Sequence, residues 1–260
     1  MSSSHTFWAL VRHEFTLKGS WRKQGRSRVT KSWWTIYLAL FAIFGVGIVT
    51  YFANHHHLEL YHLWVVTTGF PYVLIVTGVS MMKREWENET YGWWLTLPYP
   101  RVWLVSSKWI ALFLRVVVGA SLLFALISLY TVFIILVLPQ YAWTDVEASV
   151  LTGLNLLILV IGFSPFLTSI SMLMGSAAYT SLRPLIPLLW LVFMSGIGFF
   201  YSGINTSLLN NLFIKTGAAE DPVISSPFTW EVLVSMVISW VAAFLVIRLC
   251  AYLLDRKISL

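Results

Sequence analysis

Six apolar runs, each about as long as a bilayer is thick, constrain what this chain can become. They cover 33–53, 60–82, 110–138, 150–177, 185–204 and 230–254. A helix needs about 20 residues to cross roughly 30 Å of hydrocarbon, and every run reaches that length. Backbone N–H and C=O groups find no water inside lipid, so each run is expected as a helix that satisfies its own hydrogen bonds. Only 11 % of the residues are charged and 58 % are hydrophobic, against roughly 25 % charged in soluble domains. The expected fold class is therefore an all-α integral membrane protein. A basic arm, 1–32, precedes a single six-helix transmembrane domain, 33–260. The runs 110–138 and 150–177 are long enough to tilt or protrude, and Ser164-Pro165 is expected to kink the second. Trp33, Trp34, Trp64, Trp143, Tyr201 and Trp230 stand near the ends of runs, as interfacial aromatics do.

Charge sets the orientation. Of the 17 Lys and Arg residues, all but Lys215 fall on one side of a six-span topology. The other side carries Glu59, Asp145, Glu147, Glu220, Asp221 and Glu231. This bias places both termini, and the connection between the second and third runs, in the cytoplasm. In the arm, Phe7, Trp8, Val11 and Phe15 share one helical face, which predicts an interfacial helix on the inner leaflet. Its basic residues abut a membrane run, which argues for lipid headgroups and against nucleic acid. The arm does not read as a signal peptide: its basic region and apolar run are too long, and no small-residue cleavage site follows.

The longest polar interruption in the first half is 83–111, KREWENETYGWWLTLPYPRVWLVSSKWIA. It predicts a helix from about Glu85 to Leu97. Glu85, Asn88, Glu89, Gly92 and Thr96 recur at steps of three and four on one side. Trp86, Thr90, Trp93, Trp94 and Leu97 form the other. Such a helix lies at a membrane surface with its aromatics down and its acids up. Pro98 and Pro100 end it.

Several chemistries are disfavoured. No Asp or Glu stands mid-membrane, as ion-coupled carriers usually require. No phosphate loop, and no Gly-Lys pair, occurs anywhere in the chain. His55, His56, His57, Glu59 and His62 cluster in sequence, but neighbours in one loop do not define a closed ligand set, so no metal site is assigned. The single cysteine, Cys250, cannot form an internal disulfide and reads as a small apolar residue. No convergent set of catalytic residues is found, and no catalytic or cofactor-binding residues are assigned. Ser195, Gly196, Gly198 and Ser202 permit close helix approach. They read either as a dimer seam or translocation wall, or as packing within one subunit. In the loop 205–229, Leu208, Leu209, Leu212 and Phe213 form a stripe that predicts a short outer helix.

The polar interruption resembles the permease subunits of type-2 ABC exporters. That family carries E-x-x-T between its second and third spans, a Pro eight residues after the Thr, an Arg shortly after, and then a Lys leading into a new span. Here Glu87 and Thr90 fit, Pro98 follows at eight, Arg101 comes next, and Lys108 leads into Ile110 and Ala111. The departure is Glu89, where the family usually has Gly just before the Thr. With six spans around it, the resemblance covers nearly the whole chain. It implies a coupling helix that docks on a separate ATPase subunit, with Glu85, Glu87, Asn88, Glu89, Thr90, Gly92 and Arg101 as coupling residues.

The resemblance also implies a bacterial cytoplasmic membrane location, a second permease copy, identical or related, and an outer helical lid. ATP and Mg would be held by the partner ATPase, with no cofactor in this chain, and the subunit would not itself be an enzyme. The expected cargo is amphipathic, a peptide toxin, antimicrobial peptide or drug, as in the small exporters of phenol-soluble modulins. Such exporters serve peptide export and antibiotic resistance. The alternative is a membrane-embedded immunity or scaffold protein, or an intramembrane enzyme without transport activity.

Overall fold

The computed structural model describes residues 3–16, 31–56, 59–180, 182–204 and 230–256. The chain is a bundle of α-helices: α1 (Ser3–Thr16), α2 (Lys31–His56), α3 (Phe70–Glu87), α4 (Tyr91–Thr96), α5 (Arg101–Val137), α6 (Trp143–Ala177), α7 (Ile186–Ile204) and α8 (Trp230–Arg256). A 3₁₀ segment, Leu60–Gly69, runs directly into α3, and a 3₁₀ turn, Arg183–Leu185, opens α7. Among the described residues five helical stretches are long and apolar enough to cross a membrane: Thr35–His55, Leu60–Glu87, Arg101–Val137, Trp143–Ala177 and Trp230–Asp255. The expected fifth span appears as the 19-residue α7, about 28 Å long at 1.5 Å per residue. The expected outer helix over Leu208, Leu209, Leu212 and Phe213 lies outside the described residues, as does the arm's basic stretch 17–30.

Helix α6 is the axis. It packs against α3, α5, α7, α8 and the 3₁₀ segment, and its small residues set how near they come. A Cβ on Gly78 of α3 would lie 1.8 Å from Ser171 Oγ, and one on Gly175 would lie 2.9 Å from Met82 Cβ. The two backbones therefore touch where glycine and serine leave room. Six hydroxyl residues of α6 are buried and satisfied locally. Thr152, Ser164, Thr168, Ser169, Ser171 and Ser176 all donate to carbonyls three or four residues back.

Pro165 sits inside α6, which continues through it. Proline leaves the carbonyl four residues earlier without its helical donor. Here the Ser164 hydroxyl donates to that carbonyl, Ile161 O, at 3.3 Å. At the start of the helix, the Asp145 carboxylate accepts the Ala142 N–H at 2.8 Å, half of a capping box.

The core has three parts. A central cluster includes Trp64, Val116, Leu159, Phe163, Phe193 and Phe200. A second joins Val11, Met82, Trp94, Leu104, Val105 and Cys250 near the end that carries Arg84, Lys108 and Arg115, hereafter the basic end. A third, smaller cluster of Ala53, Leu60, Ile134 and Leu138 lies at the far end. Helix α2 meets the bundle through its last third. Tyr130 Oη lies 2.9 Å from Thr50 Oγ1, and Tyr141 donates to Ala53 O at 3.0 Å.

Candidate functional site

The polar interruption folds differently from a single surface helix. Helix α3 runs on to Glu87, the chain turns at Asn88–Thr90, and the six-residue α4 follows. The turn is a helix stop of the Schellman type: Thr90 N–H donates to Glu85 O at 2.9 Å and Glu89 N–H to Trp86 O at 3.1 Å. Glu89 takes the left-handed position, φ 60°, where glycine is usually found because it has no Cβ. The Thr90 hydroxyl donates to the Glu85 carboxylate at 2.7 Å. These bonds draw Glu85 inward.

Glu85 is therefore not an outward-facing acid beside Glu89; it is buried while Glu89 is exposed. The expected aromatic face also divides. Trp94 is buried, Trp93 is 82 % exposed, and Trp86 stacks on Tyr179 at 4.8 Å. Helical spacing across 85–97 could not hold because Glu89 breaks the helix in its middle.

Four charged side chains meet at this buried point. Lys108 of α5, fully buried, donates to Glu14 of α1 at 2.5 Å and to Glu85 of α3 at 2.7 Å. Arg84 donates to the second oxygen of Glu14 at 2.6 Å and stands 3.8 Å from Glu85. The formal charges cancel, two acids against two bases. The Lys108 ammonium also sits 5.2 Å from the centre of the Trp94 ring, a cation–π distance. Arg115, two turns along α5, donates to the carbonyls of Glu14 at 2.7 Å and Phe15 at 2.9 Å. A cation on the last carbonyls of α1 complements its helix dipole.

The result is a collar at the basic end. Helix α1 is locked against the bases of α3 and α5, and α4 is folded over them. Charges taken out of water are costly unless paired in good geometry, and deleting one partner of such a pair costs about 3–5 kcal/mol. Arg101 reaches Asp255 at 3.8 Å, which ties the start of α5 to the end of α8.

The arm helix forms as expected, but its apolar residues serve two purposes. Val11 is buried and Phe7 meets Trp103 edge-on at 5.8 Å, so both pack on the bundle. Trp8 and Phe15 stay exposed. On the collar's surface remain Glu87, Asn88, Glu89, Thr90 and Gly92, with Lys83 4.0 Å from Glu87. Of the residues grouped on α7, Gly196 lies on a different face from Ser195 and Gly198. Gly196 is buried, and a Cβ there would lie 2.9 Å from Phe166, whereas Ser195 and Gly198 are exposed. The side chain of Ser202 lies outside the described residues. His55 Nδ1 donates to Tyr51 O at 3.0 Å, and His57 lies outside the described residues.

The sequence reading missed Glu14. It had a signal: Glu14 is the one acid in the basic arm, three residues after Val11 and seven after Phe7. That spacing places it on the packing stripe rather than among the solvated charges.

Five helical stretches among the described residues long and apolar enough to cross a membrane, three of them packed around α6 and α6 itself the fourth, decide the broad class. The chain is an all-α, multi-pass membrane protein. Among family models, curated proteins and solved structures, none matches it.

Proposed function

We propose that this membrane protein is the permease half of an ATP-driven exporter, with the basic end in the cytoplasm and the exposed turn 87–92 as the dock for a separate ATPase. The observation that carries the reading is the backbone at Glu89. The resembled family usually has glycine at that position, and here the residue adopts the left-handed conformation that glycine favours. Support also comes from the collar. A push on the 87–92 turn reaches α1, α3 and α5 together, because Glu14, Arg84, Glu85 and Lys108 join them. Arg101 holds the same unit to α8. In this reading Glu87 and Glu89 meet basic residues of the ATPase, and Glu85 positions the turn from inside. A second copy of the permease completes the path, and the mildly polar, small-residue helices suit an amphipathic cargo.

The test is Glu87→Lys combined with Glu89→Lys, with a co-expressed cassette ATPase. Reversal of rim charges that pair with a partner costs association through both lost attraction and new repulsion. The variant should fold and insert normally, lose co-purification of the ATPase, and lose cargo-stimulated ATP hydrolysis. Normal pull-down together with normal export would remove the docking assignment.

A further inference from the structure

The far half of the second membrane helix is built in an unusual conformation. Leu60–Gly69 is ten residues of continuous 3₁₀ helix, whereas such runs seldom exceed three or four residues and, inside longer helices, often mark hinges. The sequence explains its lower boundary. Pro71 has no N–H to give to Thr67 O; Phe70 N–H bonds that carbonyl instead, closing a 3₁₀ turn. Thr67 and Thr68 then donate their hydroxyls to Trp64 O at 2.6 Å and Val65 O at 2.7 Å.

The burial pattern does not match this backbone. Leu60, Trp64, Thr67, Pro71 and Leu74 are buried. On an α-helix, at about 100° per residue, these five fall within an arc of roughly 80°. On the 3₁₀ segment Trp64 and Thr67 align, but Leu60 turns about a third of a turn away. It packs there with Ala53, Ile134 and Leu138, a different cluster from the one that holds Trp64.

Side-chain anchors hold the segment in place. The Trp64 indole donates to Ser149 Oγ at 3.1 Å, Ser149 donates to Leu60 O at 3.4 Å, and Tyr201 donates to Thr68 O at 2.6 Å. The Trp64 ring fills the space where a Cβ on Gly153 would lie, 2.0 Å from its Cζ2. Two clefts flank the junction, lined by Thr67, Phe70 and Phe124 on one side and by Pro71, Ser164 and Phe200 on the other.

We propose that Leu60–Gly69 is a stretched segment that contracts by converting from 3₁₀ to α-helix, with Ser149 and Tyr201 as its catches. Ten residues at a rise of 2.0 Å become ten at 1.5 Å, a shortening of about 5 Å. The same conversion turns Leu60 onto the Trp64 stripe. Leu60 leaves the far-end cluster, and the end of α2 loses a packing partner. The far end of the bundle thereby opens without movement of the basic-end collar. This device does not depend on the exporter reading, since it follows from span geometry alone.

The test measures the length of the segment in the full chain in lipid nanodiscs. Nitroxide labels go on Glu59→Cys and Val76→Cys, both exposed positions flanking the segment, in a Cys250→Ala background. The stretched form places the two backbone sites about 30 Å apart and the contracted form about 25 Å. The otherwise unmodified chain should show the longer distance. Releasing both catches with Ser149→Ala and Tyr201→Phe should produce a second population near the shorter one, with helicity and elution unchanged. Val66→Leu is a second route, because Val66 is 57 % exposed and leucine favours α-helix over valine. It should shift the same population in the same direction without touching a catch. A starting distance already at the short value overturns the proposal, as does an unmoved long distance in the Val66→Leu chain.

Discussion

Helices α2 and α6 contain equally apolar stretches, with a mean hydropathy of 2.2 in each, yet 6 % of that stretch is buried in α2 and 78 % in α6. Apolarity alone therefore does not decide what a membrane helix packs against, since lipid tails solvate leucine as well as a protein core does. Side-chain size and hydrogen-bonding chemistry account for the difference. Helix α6 brings serine, threonine and glycine to its neighbours at backbone distance, whereas α2 presents Phe41, Ile43 and Phe44 outward, the first 80 % exposed. Its Gly45 and Gly47 have nothing within 4 Å of where a Cβ would stand. The lesson extends to the basic end, where fitted charges replace fitted small residues.

The largest expected effect lies there. Lys108→Met keeps the bulk and removes the cation that donates hydrogen bonds to both Glu14 and Glu85. It should cost about 3–5 kcal/mol, because two buried acids lose a partner. Thermal unfolding in nanodiscs and protease cleavage of the arm should both report release of α1. An unchanged arm in Lys108→Met would mean that apolar packing by Val11 and Phe7 is sufficient.

A paired substitution addresses the two helices directly. Gly78→Leu drives a side chain into Ser171 and should cost about 1–3 kcal/mol or more through overpacking. Gly45→Leu on α2 meets open space and should fall within about 0.5 kcal/mol of the parent. If Gly45→Leu proves as damaging as Gly78→Leu, another protein surface covers α2, and the contrast belongs to the isolated subunit. The smallest effect is expected at the turn. Glu89→Gly relieves a left-handed residue and should stabilise by about 0.5–1 kcal/mol. A clear destabilisation would show that the Glu89 side chain contributes more than its backbone strain costs.

Much of the architecture was legible in the sequence. Run length placed 150–177 and 230–254 inside helices Trp143–Ala177 and Trp230–Arg256, missing the polar first two turns of the former, because hydrogen-bond satisfaction in lipid leaves few alternatives. The site was legible only in part. Helical periodicity treated 85–97 as one element and put Glu85 outside with Glu89. The helix stop depends on a backbone conformation at Glu89 that its residue type does not advertise. Lys108 read as one more orientation charge, since nothing local to it indicates that Glu14, 94 residues earlier, will arrive beside it. Likewise Leu60–Gly69 has an ordinary apolar composition, and its 3₁₀ backbone comes from Pro71 and from two clusters that draw Leu60 and Trp64 apart.

Helix α5 has a mechanical consequence of its own. At 37 residues it is a rod of about 55 Å, well beyond the roughly 30 Å of hydrocarbon. It is gripped near its base by the Lys108 cluster and near its tip by Ile134 and Leu138. A rod of that length is a lever: tilting it by about 5° about its base carries the tip roughly 5 Å. Small angular errors at the foot of the molecule thus become side-chain-sized displacements at its crown.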